Sequence, residues 1–253
     1  MGHSFELPQE AEVGATPEEV WAAIATGPGI DSWFMGRNEV ADGVVRTAFG
    51  QYTPESTVTA AEPPARFAHA SSTAEDGRFV AYEFLVEGRD QGSTTLRMVT
   101  SGFLPGDDWE AEFEAMSRGL EMFFATLVTY LTYFPGRTAT PVTEFGPPVA
   151  DWSRAWEILY GALGTPGHAK PGDTVRFAPA GLAPIEGVVY YANAHTLGVR
   201  TPDALYRFLQ GFGGSMVAAH HLFGGTGAAY HPLDGTGDQG PAWRAWLDHL
   251  FAE

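Results

Sequence analysis

The chain has no cysteine, so histidine and paired carboxylates are the side chains left to carry nucleophilic, acid–base or metal chemistry. Four of its eight histidines fall within one stretch of the C-terminal third: His195, His220, His221 and His231. A zinc or iron site needs about three such ligands converging, with one position open for catalysis. His220 and His221 are adjacent in a strand-like run, and neighbours on a strand point to opposite faces, so the two are poorly placed to share an ion. We therefore expect a hydrogen-bonded strand histidine beside a surface one, with no metal. Gly224-Gly225-Thr226-Gly227 has the glycine content of a phosphate loop, but no helix follows directly, and it reads as a connection. His69 stands alone in an apolar strand, on the face of Phe67 and Ser71. An imidazole titrates near neutrality, so His69 is the candidate general acid–base, weighed against a purely structural strand histidine.

Composition narrows the field. The net charge of −17 repels phosphate backbones and anionic lipid, which argues against nucleic-acid and membrane-surface roles; an acidic face for a protein partner stays open. No run reaches the roughly 18 apolar residues of a membrane span, and the start, MGHSFELPQE, lacks the pattern of a secretory signal. A cytoplasmic location is the default expectation. The motifs GxxxxGK[ST], GxGxxG, HExxH and GxSxG are absent, so no nucleotide or other cofactor is expected.

The elements that must position any site follow from patterning. Phe5 to Val13 alternates as a strand, and Thr16-Pro17-Glu18-Glu19 is a capping-box helix start. Gly27-Pro28-Gly29 is expected to stop that helix, with a second helical turn over Ile30 to Met35. Strands are expected at Val44–Phe49, Ser56–Ala61, Arg66–Ser72, Phe79–Glu87 and Thr94–Phe103. A long helix from Asp107 to Tyr133 carries Trp109, Phe113, Met116, Leu120, Phe123, Leu127 and Leu131 at steps of 3 and 4, one apolar stripe. Asp107 and Asp108 suit its positive end. The Pro- and Thr-rich stretch 137–150 reads as a linker. Beyond it come a helix with Trp152 and Trp156, strand-like runs between 173 and 222, and a last helix over Ala242–Phe251.

The halves share an order. Tyr82-Glu83-Phe84-Leu85 recurs as Tyr206-Arg207-Phe208-Leu209, each followed by Gly-Ser and another strand. This implies a diverged tandem repeat whose second copy lost its first strand and shortened its closing helix. The expected domains are 1–136 and 151–253, joined by 137–150.

Gly14-Ala15-Thr16-Pro17-Glu18-Glu19-Val20-Trp21 with Trp33-Phe34, then Pro63-Pro64 before a strand, then Thr95-Leu96-Arg97 through Ser101-Gly102-Phe103 to Trp109, resembles the SRPBCC (START-like) superfamily. The branch it is similar to is that of the activator of heat-shock-protein ATPase. The resemblance implies an α+β helix-grip fold, an antiparallel sheet wrapped around a long C-terminal helix to enclose a cavity. Runs of strands between helices point to the same class. The cavity would hold a small hydrophobic or amphipathic molecule, with Trp33, Phe34, His69, Tyr82, Phe84, Met98, Trp109, Phe113, Met116 and Leu120 as its wall. A void is expected beside Trp109 and Phe113, with Phe123 to Leu131 as core. Binding is favoured over catalysis; a polyketide-cyclase or aromatase-like enzyme using His69 is the alternative, and an acidic interaction or co-chaperone-like module a third.

Overall fold

A computed structural model describes residues 2–89, 92–107, 109–165, 167–211, 213–224 and 239–252. His231, Asp108 and Gly225 to Gly227 lie outside the described residues. The chain divides into two compact units, Met1–Ala139 and Thr140–Glu253.

The first unit opens with β1 (His3–Val13) and α1 (Pro17–Ala25). Thr16 and Glu19 close the capping box in both directions: Thr16 N donates to Glu19 Oε2 at 2.8 Å and Glu19 N to Thr16 Oγ1 at 3.3 Å. Helix α1 ends at Ala25, just before Gly27-Pro28-Gly29, as expected. The second helical turn, expected over Ile30 to Met35, comes earlier: α2 (Gly27–Ile30) starts on those same residues because Thr26 caps it, accepting from Gly29 N at 3.1 Å while its own hydroxyl donates back to Ala22 O at 2.7 Å. Strands β2 (Arg37–Ala41), β3 (Val44–Ala48), β4 (Glu55–Glu62), β5 (Arg66–Ser71), β6 (Phe79–Gly88) and β7 (Thr94–Leu104) follow, then α3 (Trp109–Tyr133). The strand β2 is absent from the sequence expectation: Arg37-Asn38-Glu39-Val40-Ala41 is too polar to stand out, as suits the edge of a sheet.

All neighbours pair antiparallel in the order β1-β7-β6-β5-β4-β3-β2, so the first strand is zipped to the last. Register fixes the faces. Leu7, Thr100, Tyr82, His69 and Val58 form one row across five strands, and Gln9, Met98, Phe84 and Phe67 form the adjacent one. Alternate residues of β7 from Thr94 to Leu104 are buried, so both rows lie on the inner face. This strand order, closed by a 25-residue helix, is the helix-grip arrangement.

In the second unit, the expected linker is a strand. Thr140–Pro148 forms β8, paired with the last strand of its sheet from Leu222↔Thr140 to Ser215↔Pro148. Its prolines are compatible with the strand because β8 lies at the edge. After α4 (Trp152–Ala162) come β9 (Thr174–Phe177), β10 (Ile185–Asn193), β11 (Thr196–Arg200), β12 (Ala204–Gln210), β13 (Ser215–Leu222) and α5 (Gly240–Leu250), with sheet order β8-β13-β12-β11-β10-β9. This sheet has six strands against seven in the first unit, and its first strand, β8, lies at an edge beside its last, β13, as β1 lies beside β7. The core of this unit joins Trp156, Leu159, Phe177, Tyr206, Phe208, Trp243 and Trp246.

Candidate functional site

The interior of the first unit holds an unfilled cavity of about 30 Å³, lined by Ile24, Ile30, Trp33, Phe34, Asn38, Val45, Thr47, His69, Tyr82 and Phe84. That is room for one or two water molecules. Each wall has a local cause. The capped α1–α2 corner brings Ile24, Ile30 and Trp33 inward; Trp33 is anchored by its Nε1–H, which donates to Ala23 O at 3.0 Å. Gly36 then turns the chain into β2 with φ +63°; a Cβ there would sit 2.1 Å from Ala48 O, so only glycine fits.

That turn delivers Asn38. Its backbone N–H donates to Asp31 Oδ1 at 2.6 Å, its Nδ2 donates to the same oxygen at 3.1 Å and to Met35 O at 3.1 Å, and its Oδ1 accepts from the Thr47 hydroxyl at 2.7 Å. Asp31 is buried, and desolvation lifts its pKa above the ordinary carboxylate value although the Asn38 hydrogen bonds pull the other way. The chain of Thr47, Asn38 and Asp31 fixes one polar wall.

His69 and Tyr82 make the opposite wall. Their rings stack at 5.1 Å with planes 25° apart, and Tyr82 also meets the edge of Phe34 at 6.4 Å. Burial depresses the His69 pKa to about 4 and raises that of Tyr82 to about 12, so both are neutral near pH 7. His69 Nδ1 is buried without a hydrogen-bond partner. Phe34, half-buried, lies 4.5 Å from Phe123 of α3 and 5.2 Å from Trp33.

Of the residues expected to form the wall, the cavity brings together Trp33, Phe34, His69, Tyr82 and Phe84. Met98, Trp109, Phe113, Met116 and Leu120 are not among its lining. Trp109 stacks on His3 at 4.1 Å and Phe113 meets Phe5 edge-on at 5.7 Å, so the start of α3 packs along β1 rather than over the void. Phe123, expected to be core, touches the cavity's Phe34 instead. Sequence reasoning missed Ile24, Ile30, Asn38, Val45 and Thr47. The alternation of Val45 and Thr47 was a readable signal; Asn38, in an unexpected edge strand, had none.

The histidines of the second unit do take opposite faces, but neither is at the surface. His220 and His221 are each 1% exposed, which corrects the expectation that one of the two lies at the surface. His220 Nδ1 accepts from Arg207 N at 3.1 Å, and its ring lies edge-on to Trp243 at 4.1 Å, while its Nε2 finds no partner. Burial and the nearby Arg207 guanidinium hold His220 neutral. Among the described residues no three His, Cys, Asp or Glu side chains are grouped to hold a metal ion, and no helix is long and apolar enough to cross a membrane.

No family model and no curated protein matches the chain. Solved structures do. The Aha1 dimer from Colwellia psychrerythraea is 20% identical over 52% of this chain and 99% of its own, with a TM-score of 0.44. The di-domain ARO/CYC BexL from the BE-7585A biosynthetic pathway is 14% identical over 89% of this chain and 90% of its own, at 0.46. DynU16, from the dynemicin biosynthetic locus, is 21% identical over 86% of each chain, at 0.42. The likeness is one of fold. At these identities no residue's role carries across, and the helix-grip description rests on the strand order itself.

Proposed function

We propose that the first unit binds a small hydrophobic or amphipathic molecule at the end of its interior enclosed by α1, α2 and strands β2, β3, β5 and β6. One observation supports this above the others: a largely apolar cavity is lined by His69, a titratable side chain whose Nδ1 makes no hydrogen bond. A void of about 30 Å³ falls well short of the roughly 300–1,000 Å³ of a drug-sized site, so binding requires the wall to part. Phe34 is the residue placed to swing, since it is half-buried and held by ring contacts rather than hydrogen bonds to its side chain.

The test fills the void. Val45→Phe, at a residue lining the cavity, should abolish adducts seen by native mass spectrometry of the purified protein and the response of tryptophan fluorescence to added naphthalene. Equal binding by wild type and variant would place any ligand elsewhere.

An acid–base role for His69 is the second reading, favoured by its position in the cavity beside Tyr82. A pKa near 4 makes it a weak base at neutral pH, so binding is preferred. We read the two units as diverged copies and as separate domains. The Tyr82–Leu85 and Tyr206–Leu209 segments hold the same place, next to the last strand of each sheet. In the second copy Trp243 and Phe208 pack into the interior around His220, which supports assigning the binding site to the first.

A further inference from the structure

Three buried polar atoms on the inner face of the first sheet have no partner: His69 Nδ1, Thr100 Oγ1 and Gln9 Oε1. They are not scattered. Thr100, Tyr82 and His69 are directly opposed on three adjacent strands, and Gln9 lies in the next row, opposite Met98. His69, which lines the cavity, thus stands at one end of a run of neighbouring positions that reaches β1. None of them carries a charge. No Asp, Glu, Lys or Arg lines the cavity, and Asp31, the carboxylate bonded to the lining residue Asn38, accepts from both its backbone N–H and its Nδ2.

We infer that the molecule bound here is uncharged, apolar over most of its surface, and carries a hydroxyl or carbonyl oxygen that pairs with the His69 imidazole. This rests on the binding role proposed above and narrows it. The physical reason is the cost of burial. An ion brought into this site would lose its hydration with no counter-ion to replace it, whereas a neutral oxygen supplies the missing hydrogen bond. A purely apolar molecule would fill the void but offer the His69 imidazole no hydrogen bond. A carboxylate would be penalised further by the acidity of the chain as a whole, whose net charge is −17. Neutral His69 can donate or accept according to its tautomer, so alcohols, phenols and ketones all qualify.

Three probes of one skeleton separate the possibilities: 2-naphthol, 2-naphthoate and naphthalene, titrated at pH 7 into the full chain by tryptophan fluorescence and calorimetry. Wild type should bind 2-naphthol at least tenfold more tightly than either of the others. His69→Leu should lower 2-naphthol to the level of naphthalene, and His69→Gln, which keeps a neutral hydrogen-bonding group, should restore part of the difference. Tighter binding of 2-naphthoate, or no preference for 2-naphthol over naphthalene in wild type, overturns the inference while leaving a binding site in place. An unchanged preference in both variants removes His69 from it. Failure of all three probes to bind overturns the binding role itself.

Discussion

His69 on β5 and Tyr82 on β6 stand opposite each other with rings stacked 5.1 Å apart, one edge of the pair facing an unfilled cavity. Desolvation lowers the His69 pKa to about 4, so the ring is neutral at pH 7, and raises that of Tyr82 to about 12.

A pH dependence follows from that. The folded pKa of His69, about 4, lies below its unfolded value of about 6.5, so the unfolded chain binds the proton more readily. Its contribution is fully present above pH 6.5 and is lost as pH falls toward 4. His220, also depressed, adds in the same direction. Asp31 opposes them: its raised pKa means stability lost as pH rises through the carboxylate range. Chemical denaturation between pH 7 and 4 should show wild type losing on the order of 2–3 kcal/mol more than His69→Leu. Parallel curves for the two would refute the assignment.

Phe34→Ala removes the ring that bridges Trp33, Tyr82 and Phe123. Because Phe34 is only half-buried, the cost should fall below that of a core phenylalanine, at about 2 kcal/mol. The cavity should open, so association of a bound probe should quicken. Stopped-flow fluorescence reads this directly, and a slower on-rate would mean that Phe34 is no gate.

Asn38→Ala breaks the wall on the other side. Asp31 Oδ1 loses its side-chain donor, and the Thr47 hydroxyl loses its acceptor. Asp31 keeps the backbone N–H of residue 38, so the loss of one donor to it and of the Thr47 acceptor should cost about 1–3 kcal/mol and lift the Asp31 pKa further. Thermal unfolding of Asn38→Ala beside Asp31→Asn/Asn38→Ala tests the link: the double variant should recover part of the loss, since it no longer buries a carboxylate.

Division of the chain after Ala139 should yield an N-terminal fragment that folds by itself. Every strand of its sheet pairs within the fragment, and α3 is contained in it. A cooperative unfolding transition and dispersed amide resonances for residues 1–139 are expected; a molten fragment would show that the units are not independent domains.

Local order was legible in the residues themselves. The Thr16–Glu19 capping box, the helical extent of α3 and the alternation of β7 depend on neighbours within a few positions, so spacing alone discloses them. The opposed faces of His220 and His221 follow from strand geometry in the same way.

Pairing between distant segments decided the rest. Thr140–Pro148 has the composition of a linker and becomes a strand because β13 offers it an edge, and polar β2 is ordered by β3 and by the Asp31–Asn38 bonds. The cavity's position likewise depends on how helix meets sheet. The α3 stripe announces a buried face, but spacing along one helix is silent on which strands it will cover, and packing set Trp109 and Phe113 against β1 while leaving the space beside His69 empty. Burial of His221 follows the same rule, since alternation assigns a side chain to a face and only the surrounding fold determines whether that face meets water.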